Sequence, residues 1–242
     1  MKIALIGHGK MGKAVEAVIR RGQPHNHAVI ARTFNRDNAD TLTVEALKGI
    51  DVAVEFTTPL TAEKHIRTCI DAGVPVISGT TGWYDRLPEL SAYCTQKNGA
   101  MLCAANFSIG VHLFLAVNAK LASLMQHQPQ YAVSIEETHH TQKLDAPSGT
   151  AIRIAETIGA ELPRMQGWVL TPDEKDGAIP ITAHRIDHVP GIHTVHYDSS
   201  VDSITLTHTA HSRDGFAEGA WLAAQWIAGR KGLFTMQDVL SI

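Results

Sequence analysis

A glycine-rich turn directly after an apolar run, close to the start of the chain, most constrains what this sequence can fold into. Residues 2–6 form the apolar run, and residues 7–12 read Gly-His-Gly-Lys-Met-Gly. Apolar residues then recur at helical spacing, at Met11, Val15, Val18 and Ile19. A G-x-G-x-x-G turn between a strand and a helix allows a tight bend and close approach of a diphosphate. The pattern predicts a dinucleotide-binding unit whose contacts to the cofactor include Gly7, Gly9, Lys10, Met11 and Gly12.

Short apolar runs continue to alternate with a helical pattern. Strands are predicted over residues 28–31, 52–56, 75–78 and 101–104, with a helix over residues 61–72. Such alternation is typical of a parallel sheet, and doubly wound sheets bind ligands beyond the carboxyl ends of their strands. Residues at or just beyond the ends of three of these strands are therefore candidates for the nicotinamide half of the site: Phe56, Thr57, Gly79, Thr80, Thr81, Ala104, Ala105, Asn106 and Phe107. The alternative for Phe56 is a role in the hydrophobic core.

The pattern changes after residue 106. Further helices are predicted around residues 113–124, 151–158 and 216–227, and a strand over residues 131–136. A long loop, a candidate lid, is predicted over residues 163–180, which are rich in proline, glycine and charge. Consecutive β-rich stretches without helices between them favour an open, mainly antiparallel sheet; they span residues 181–189, 193–197 and 203–211. The sequence as a whole predicts an α/β fold.

The segment 136–151 carries the chemistry. It contains adjacent histidines, His139 and His140, then Lys143, then a Pro-Ser-Gly-Thr turn that opens a helix. An imidazole donates a proton near neutral pH, an ammonium group neutralises an anion, and a helix start presents unpaired amides. Together these groups suit an acidic substrate that must be protonated. The amides and hydroxyls of Ser148, Gly149 and Thr150 would bind one carboxylate, although Ser148 is also a favoured helix N-cap.

Composition excludes several classes of function. A formal net charge of −3 gives no global field for nucleic acid or an anionic membrane, so neither is expected as a partner. No apolar run approaches the roughly 20 residues that span a bilayer, and no signal peptide is recognised, so a soluble cytoplasmic protein is expected. Cys69, Cys94 and Cys103 lack zinc-site or disulfide spacing and are expected to be reduced.

The histidine count raises the question of a metal. The chain has 14 histidines, including the pairs His193/His196 and His208/His211. Strand positions three apart face opposite ways, and no H-E-x-x-H motif accompanies them, so no metal site is predicted. A nucleophilic hydrolase is disfavoured because no G-x-S-x-G motif is present.

The end of the second predicted strand bears on cofactor choice. An NAD-selective site carries an acidic residue there, whereas this chain runs into Arg32-Thr33-Phe34-Asn35-Arg36. Arg32 and Arg36 would tolerate a 2′-phosphate, which favours NADPH, with NADH as an alternative cofactor. The alternative is that both arginines are solvated surface charges.

Several segments resemble the dihydrodipicolinate (4-hydroxy-tetrahydrodipicolinate) reductase family. The resemblance rests on Met11 and on residues 56–59, 79–82, 105–110, 139–151, 212–217 and 232–240. The string His-His-x-x-Lys-x-Asp-x-Pro-Ser-Gly-Thr is far more specific than the glycine turn. The chain departs from the family pattern in a glycine loop one residue shorter than many members have, and in the missing acidic residue after the second strand. Both departures bear on cofactor preference more than on reaction type.

The resemblance implies a bacterial cytoplasmic enzyme of lysine and diaminopimelate biosynthesis that reduces a cyclic imine-type dicarboxylate with NADH or NADPH. It implies a Rossmann-type domain, residues 1–106 and 214–242, and an inserted α+β domain with a mixed or antiparallel sheet, residues 107–213. The inserted domain would bind substrate and form a homotetramer through its sheets.

By the same resemblance, His139 is the general acid, Lys143 assists proton donation and holds a substrate carboxylate, and His140 binds substrate. The alternative for Lys143 is a surface lysine paired with Asp145. Arg213 is a candidate substrate or hinge contact. Two other functions stay open: another two-domain NADP-dependent reductase of an aspartate-derived carbonyl compound, and a non-catalytic dinucleotide sensor.

Overall fold

The computed structural model describes residues 1–22, 27–212 and 214–242. The chain divides into two compact units. The first unit is Met1–Ile109 with Asp214–Ile242, and the inserted unit is Gly110–Arg213. The boundary after the first segment thus lies three residues beyond the position expected from the sequence, at 109 rather than 106.

The described residues form eleven strands and seven α-helices. The strands are β1 Lys2–Ile6, β2 Val29–Phe34, β3 Val52–Glu55, β4 Val76–Ser78, β5 Ala100–Cys103, β6 Ala132–His139, β7 Trp168–Leu170, β8 Ile179–Arg185, β9 Gly191–Asp198, β10 Ser203–Ala210 and β11 Gly232–Phe234. The helices are α1 Lys10–Arg21, α2 Ala62–Asp71, α3 Leu87–Gln96, α4 Ile109–Met125, α5 Gly149–Glu161, α6 Asp214–Ile227 and α7 Met236–Leu240. No helix of the described residues has the length and apolar character needed to cross a membrane.

The first unit is built on a six-stranded sheet in the order β2-β1-β3-β4-β5-β11. Every neighbouring pair in this sheet is parallel. The chain leaves β1 towards β2 on one side and returns to β3 on the other, so the strand order reverses at β1. Open α/β sheets bind ligands at such a reversal, outside the carboxyl ends of the strands. The predicted Rossmann-type parallel sheet is confirmed.

Both faces of this sheet are covered, which explains why β1 reads as a continuous apolar run. Ile3 and Leu5 are buried in a cluster with residues of α1 and α6, whereas Ala4 and Ile6 are buried in a second cluster with residues of α2 and α3. Successive side chains of a strand point to opposite faces, so a strand between two helical layers has no polar face to alternate with.

The inserted unit contains a five-stranded sheet in the order β10-β9-β6-β8-β7. The β10/β9 and β9/β6 pairs are antiparallel, and the β6/β8 and β8/β7 pairs are parallel. Inward residues of the sheet, including Ile135, Ile181 and Val195, form an apolar cluster with Ile154 and Ile158 of α5. The sheet is therefore mixed, and the expectation that it is mainly antiparallel holds for only two of its four pairs.

The prediction of one long loop over residues 163–180 is wrong in part. β7 lies within that range, and β8 begins at Ile179. β7 has only three residues, and its Trp-Val-Leu sequence offers no alternation that distinguishes a strand from an apolar turn. The sequence also failed to predict α3, β11 and α7, although a Thr235/Asp238 capping box marks the start of α7.

We expect Gly219→Ala to lower the free energy of unfolding by about 2–4 kcal/mol, because a Cβ at Gly219 would lie 1.7 Å from the carbonyl oxygen of Phe107. Gly159→Ala is the control. Gly159 is also helical, its added Cβ would meet only the Met165 carbonyl oxygen at 3.6 Å, and the change should be neutral or stabilise by up to about 1 kcal/mol. Urea denaturation of both variants checks this. Equal stabilities would contradict the packing of α6 described above.

Candidate active site

The glycine turn fits a diphosphate. Gly7 has φ +94°, and a Cβ there would lie 2.0 Å from the carbonyl oxygen of Phe56. A Cβ at Gly12 would lie 2.1 Å from the carbonyl oxygen of Gly7, whereas one at Gly9 would meet nothing within 4 Å. Gly7 and Gly12 therefore permit the tight bend and close packing, and Gly9 leaves the backbone open to a ligand. Gly9 is the N-cap of α1, with no side-chain capping bond and no acidic residue in the first turn, so the helix start is available to an anion.

The end of β2 lies beside this turn, because the Gly7 amide donates to the carbonyl oxygen of Phe34 at 2.8 Å. Arg32 is an exposed residue within β2 rather than beyond its end, and its Nη1 donates to the carbonyl oxygen of Ala31. Arg36 lies in the following turn, which is held by the Asn35 amide donating to Asn38 Oδ1 at 2.6 Å. Of the two arginines, Arg36 is thus the one placed after the strand.

A buried carboxylate that the sequence analysis missed joins the ends of β3 and β4. Glu55 is fully buried and accepts hydrogen bonds from the hydroxyls of Ser78 at 2.5 Å and Thr80 at 3.0 Å. It also accepts from the Thr57 hydroxyl and from the Thr57 amide, the latter at 3.0 Å. Its carboxylate therefore fixes two of the loops proposed for the nicotinamide. An acidic residue closing the apolar run 52–55 was the available signal.

Several of the predicted cofactor residues lie together at the carboxyl ends of β3, β4 and β5. A Cβ at Gly79 would lie 2.0 Å from the ring of Phe56, so that ring packs directly over the glycine. The rings of Phe56 and Phe107 are 5.8 Å apart between centroids. Thr81 and Ala105 are exposed, Ala104 is half-buried, and the Asn106 side chain accepts a hydrogen bond from the Ser108 amide.

In the inserted unit, His139 is the last residue of β6, three residues beyond the predicted end of that strand, and it is buried. Its Nδ1 lies 3.5 Å from Glu137 Oε2. Its Nε2 faces the backbone of β9, where a Cβ at Gly191 would lie 3.2 Å away. The rings of His139 and His193 are 5.0 Å apart in an edge-to-face arrangement. The histidine is thus held between neighbouring strands rather than on a loop.

Glu137, a second buried carboxylate that sequence reasoning missed, lies at the centre of this unit's polar cluster. It accepts hydrogen bonds from the Ser148 amide at 3.0 and 3.1 Å and from Arg185 Nη2 at 3.3 Å. The Nε2 of His193 is 3.8 Å from its other oxygen. Strand register brings these groups together, since His139 is opposite Arg185 in β8 and Glu137 is opposite His193 in β9.

Lys143 forms an ion pair with Asp145, with Nζ 2.8 Å from both carboxylate oxygens, as the alternative interpretation of this lysine anticipated. This pairing lowers the pKa of the Asp145 carboxyl. Arg185 fixes the loop that carries Lys143 and Asp145, because it donates hydrogen bonds to the carbonyl oxygens of Lys143 at 3.3 Å and Asp145 at 2.6 Å. The lysine therefore sits on a fixed loop within the same polar cluster as His139.

Ser148 is the N-cap of α5, and its hydroxyl accepts from the Ala151 amide at 3.1 Å. Its own amide is taken by Glu137, so Ser148 serves the protein's internal network. The first intrahelical bond runs from the Ile152 amide to the carbonyl oxygen of Ser148, which leaves the amides of Gly149 and Thr150 directed out of the helix start. His140 is half-buried, and its Nδ1 has no hydrogen-bond partner within the described part of the chain.

Burial controls the protonation of both inward histidines. Burial lowers the pKa of His139; the Glu137 carboxylate opposes this shift, whereas Lys143 and Arg185 add to it. Burial, with the neighbouring His139, lowers the pKa of His193 to about 3. Without a ligand the cluster therefore holds neutral imidazoles beside two cations. A bound dianion would raise the pKa of His139, because an opposite charge favours the protonated form.

We expect stability to fall as pH is lowered from about 6.5 towards 3. The folded state holds His193 neutral with a pKa of about 3, whereas an unfolded histidine binds a proton near 6.5, so the unfolded state binds more protons in this window. Each such histidine contributes a slope of up to about 1.4 kcal/mol per pH unit. Urea midpoints measured across this window should fall less steeply for His193→Asn. A slope as steep as that of the unsubstituted protein would contradict the assignment.

Glu137, His139 and His193 could also ligate a cation, since their candidate ligand atoms lie within 4.8 Å of one another. The Glu137 carboxylate, however, already accepts bonds from Arg185 and the Ser148 amide, so the protein itself supplies its positive partners. Arg213, the candidate substrate or hinge contact, lies outside the described residues.

The parallel sheet and the diphosphate-compatible glycine turn define a Rossmann-type dinucleotide-binding protein. Residues 1–107 match the protein family described as "Dihydrodipicolinate reductase, N-terminus", and residues 110–240 match the family described as "Dihydrodipicolinate reductase, C-terminus". The chain belongs to the dihydrodipicolinate reductase family.

Individual relatives agree with this membership. The 4-hydroxy-tetrahydrodipicolinate reductase of Christiangramia forsetii is 45% identical over 242 residues, which cover 100% of this chain and 98% of the relative. The protein of that name in Neisseria gonorrhoeae is 33% identical over 270 residues, covering 100% of this chain and 98% of the relative.

Solved structures show the same fold. Dipicolinate-bound dihydrodipicolinate reductase from Paenisporosarcina sp. TG-14 has a TM-score of 0.78 at 23% identity, covering 98% of each chain. An amine dehydrogenase from Mycobacterium smegmatis has a TM-score of 0.61 at 12% identity, covering 98% of this chain and 95% of that one. The fold is thus shared with dehydrogenases of other names, and the family assignment rests on sequence.

Proposed function

We propose that this enzyme reduces 4-hydroxy-tetrahydrodipicolinate to tetrahydrodipicolinate with NADPH or NADH, in lysine and diaminopimelate biosynthesis. The observation that carries the proposal is the fixed cluster of His139, Lys143 and the start of α5 within one unit of a member of the dihydrodipicolinate reductase family. One proton donor, one ammonium group and one amide-lined helix start are the groups that a dianionic substrate undergoing reduction requires.

Each group has a separate role in the proposed reaction. Loss of the substrate's hydroxyl group as water gives a conjugated imine. A bound nicotinamide would supply a hydride to that system, and the electron pair left on the ring would be quenched by a proton. His139 donates that proton from Nε2, the ring nitrogen that faces away from Glu137. Lys143 holds one substrate carboxylate, in exchange for part of its pairing with Asp145, and His140 donates to the substrate. The amides of Gly149 and Thr150 bind the other carboxylate, while Ser148 fixes the turn that presents them.

One turnover assay, run with and without a competitor, separates this function from its alternatives. Enzyme and NADPH are mixed with the condensation product of pyruvate and aspartate semialdehyde, and loss of NADPH absorbance is followed. We expect rapid loss, with pyridine-2,6-dicarboxylate competing against substrate. A dinucleotide sensor would bind NADPH without consuming it, and a reductase of another aspartate-derived carbonyl compound would ignore this substrate. Failure of the dicarboxylate to compete would argue against the anion site at Gly149 and Thr150.

We expect the 2′-phosphate of NADPH to be recognised by Arg36, which follows β2, with a smaller contribution from Arg32. Arg36→Ala should raise the KM for NADPH about tenfold, the effect of losing one charged hydrogen bond, and leave the KM for NADH nearly unchanged. Arg32→Ala, within β2, is the comparison and should raise the KM for NADPH less than Arg36→Ala does. Cofactor kinetics with both nucleotides check this, and equal effects of Arg36→Ala on the two cofactors would disprove the phosphate contact.

The same proposal includes a homotetramer in the cytoplasm. The sheet face of the inserted unit that points away from its apolar cluster carries mostly polar and hydroxyl side chains, among them Ser134, Thr194, Thr207 and His196. Such a face suits hydrogen-bonded association with further copies. The free cysteines Cys69, Cys94 and Cys103 fit a reducing compartment. Light scattering should give the mass of four chains, and the mass of one chain would refute the assembly.

A further inference from the structure

We propose that Glu137 is the positioning residue of the proton donor: its buried carboxylate fixes the Nδ1 side of His139, so that the proton given to substrate leaves from Nε2. This inference rests on the proposed function and adds to it a residue that positions the proton donor. No motif in the sequence pointed to it, because Glu137 precedes the His-His pair and looks like one of two adjacent strand glutamates.

The position of Glu137 is determined by contacts other than the one to His139. The side chain is 1% exposed, and its oxygens accept bonds from the Ser148 amide and from Arg185 Nη2. The Ser148 amide belongs to the capped start of α5, and Arg185 lies in the neighbouring strand β8. A carboxylate held from two sides is a rigid reference point for a third group.

His139 presents Nδ1 to this carboxylate. That nitrogen is buried and has no hydrogen-bond partner in residues 27–212 of the described chain, and Glu137 Oε2 lies 3.5 Å from it. A carboxylate only accepts hydrogen bonds, so the nitrogen that faces it retains its proton in both the charged and the neutral imidazole. The proton that the ring gains and loses is then the one on Nε2, on the side of Gly191.

The other charges around His139 cannot serve this purpose. Lys143 and Arg185 are cations that disfavour the imidazolium. Asp145 favours the imidazolium, as Glu137 does, but Asp145 is exposed and its carboxylate is paired with Lys143. His193, from β9, stays neutral because burial lowers its pKa to about 3. Among the groups facing His139, Glu137 is therefore the buried anion that stabilises its protonated form.

The test compares Glu137→Gln with Glu136→Gln. Glu136 is the adjacent residue on the opposite face of β6, exposed, with His196 as its neighbour at 3.8 Å, so the two variants remove the same charge from the same strand. The first measurement is an NMR titration of His139 without substrate or cofactor, assigned with His139→Gln. We expect the pKa of His139 to fall by about one unit or more in Glu137→Gln and to stay unchanged in Glu136→Gln.

The second measurement is the pH profile of kcat. Because a lower pKa of the donor removes its proton at lower pH, the alkaline limb should move to lower pH in Glu137→Gln. The loss in kcat should be tenfold or more at pH 8 and should shrink as pH is lowered, with the KM for NADPH unchanged. A merely structural role would lower kcat equally at all pH values. Should Glu137→Gln fail to fold, Glu137→Asp retains the charge on a shorter side chain, and its His139 pKa should lie within half a unit of that of the unsubstituted protein.

Two results would overturn the inference: an unchanged His139 pKa in Glu137→Gln, or a Glu137→Asp protein whose His139 pKa falls by a full unit despite the retained carboxylate. The titration needs no turnover, so it separates the two proposals. A pKa shift in a protein that ignores the proposed substrate would leave the positioning role standing and remove the proposed function. Turnover of the proposed substrate without a shift in the His139 pKa would support the proposed function and remove the positioning role of Glu137.

Discussion

Replacing His139 with glutamine is expected to lower kcat by two or more orders of magnitude while leaving NADPH affinity unchanged. Loss of a general acid typically costs about 10²–10⁴ in rate. Glutamine preserves hydrogen-bonding capacity and approximate size, but its amide does not donate a proton to a developing carbanion. The side chain is buried in the inserted unit, at the end of β6, whereas the glycine turn belongs to the first unit.

The measurement pairs steady-state kinetics with a direct NADPH titration of the same variant. His184→Gln is a suitable control, because His184 is an exposed histidine of the neighbouring strand β8. Turnover of His139→Gln within a few-fold of the unsubstituted enzyme would remove His139 from the mechanism. Weakened NADPH binding by the variant would show that the substitution disturbs more than proton donation.

The second large effect is expected at Glu55 in the first unit. Replacing it with leucine removes the acceptor of the Ser78, Thr80 and Thr57 hydroxyls and of the Thr57 amide. Each buried donor left without an acceptor costs about 1–3 kcal/mol, and the departing carboxylate recovers part of this because its own burial was unfavourable. We expect a net loss of about 2–4 kcal/mol in the free energy of unfolding.

Glu55→Gln is the matched control, since it keeps one carbonyl acceptor and nearly the same volume, and it should lose less. Urea denaturation gives the stability of both variants, and NADPH titration reports on the loops that carry Thr57 and Thr80. The account of Glu55 fails if the leucine variant is as stable as the unsubstituted protein and binds NADPH equally well.

Local signals made part of this structure predictable. The glycine turn needs only contiguous residues to specify strand, bend and helix, and β1 has the predicted bounds Lys2–Ile6. Likewise, Ser148 before an apolar helical pattern predicted the start of α5, and in the structure its hydroxyl caps that helix by accepting from the Ala151 amide. In both cases the physical cause lies within a few residues of its effect.

The partners of the candidate donor could not be predicted in this way. Arg185 and His193 meet Glu137 and His139 only because β6 pairs with β8 in parallel and with β9 in antiparallel register. A shift of one residue in either pairing would turn each side chain to the opposite face. Short edge strands were not predicted for a different reason. β7 and β11 have three residues each, too few to display the alternation of apolar and polar residues that identifies a strand.

Transfer of the hydride itself tests the central claim most directly. NADPH carrying deuterium at both positions of the reactive nicotinamide carbon is incubated with enzyme, pyruvate and aspartate semialdehyde together with the synthase that condenses them, and the dicarboxylate product is analysed by mass spectrometry. The account predicts tetrahydrodipicolinate that carries the label, formed by the unsubstituted enzyme and by His139→Gln at a rate lower by two or more orders of magnitude. Product without label, or no reduced dicarboxylate at all while NADPH binds, would contradict it.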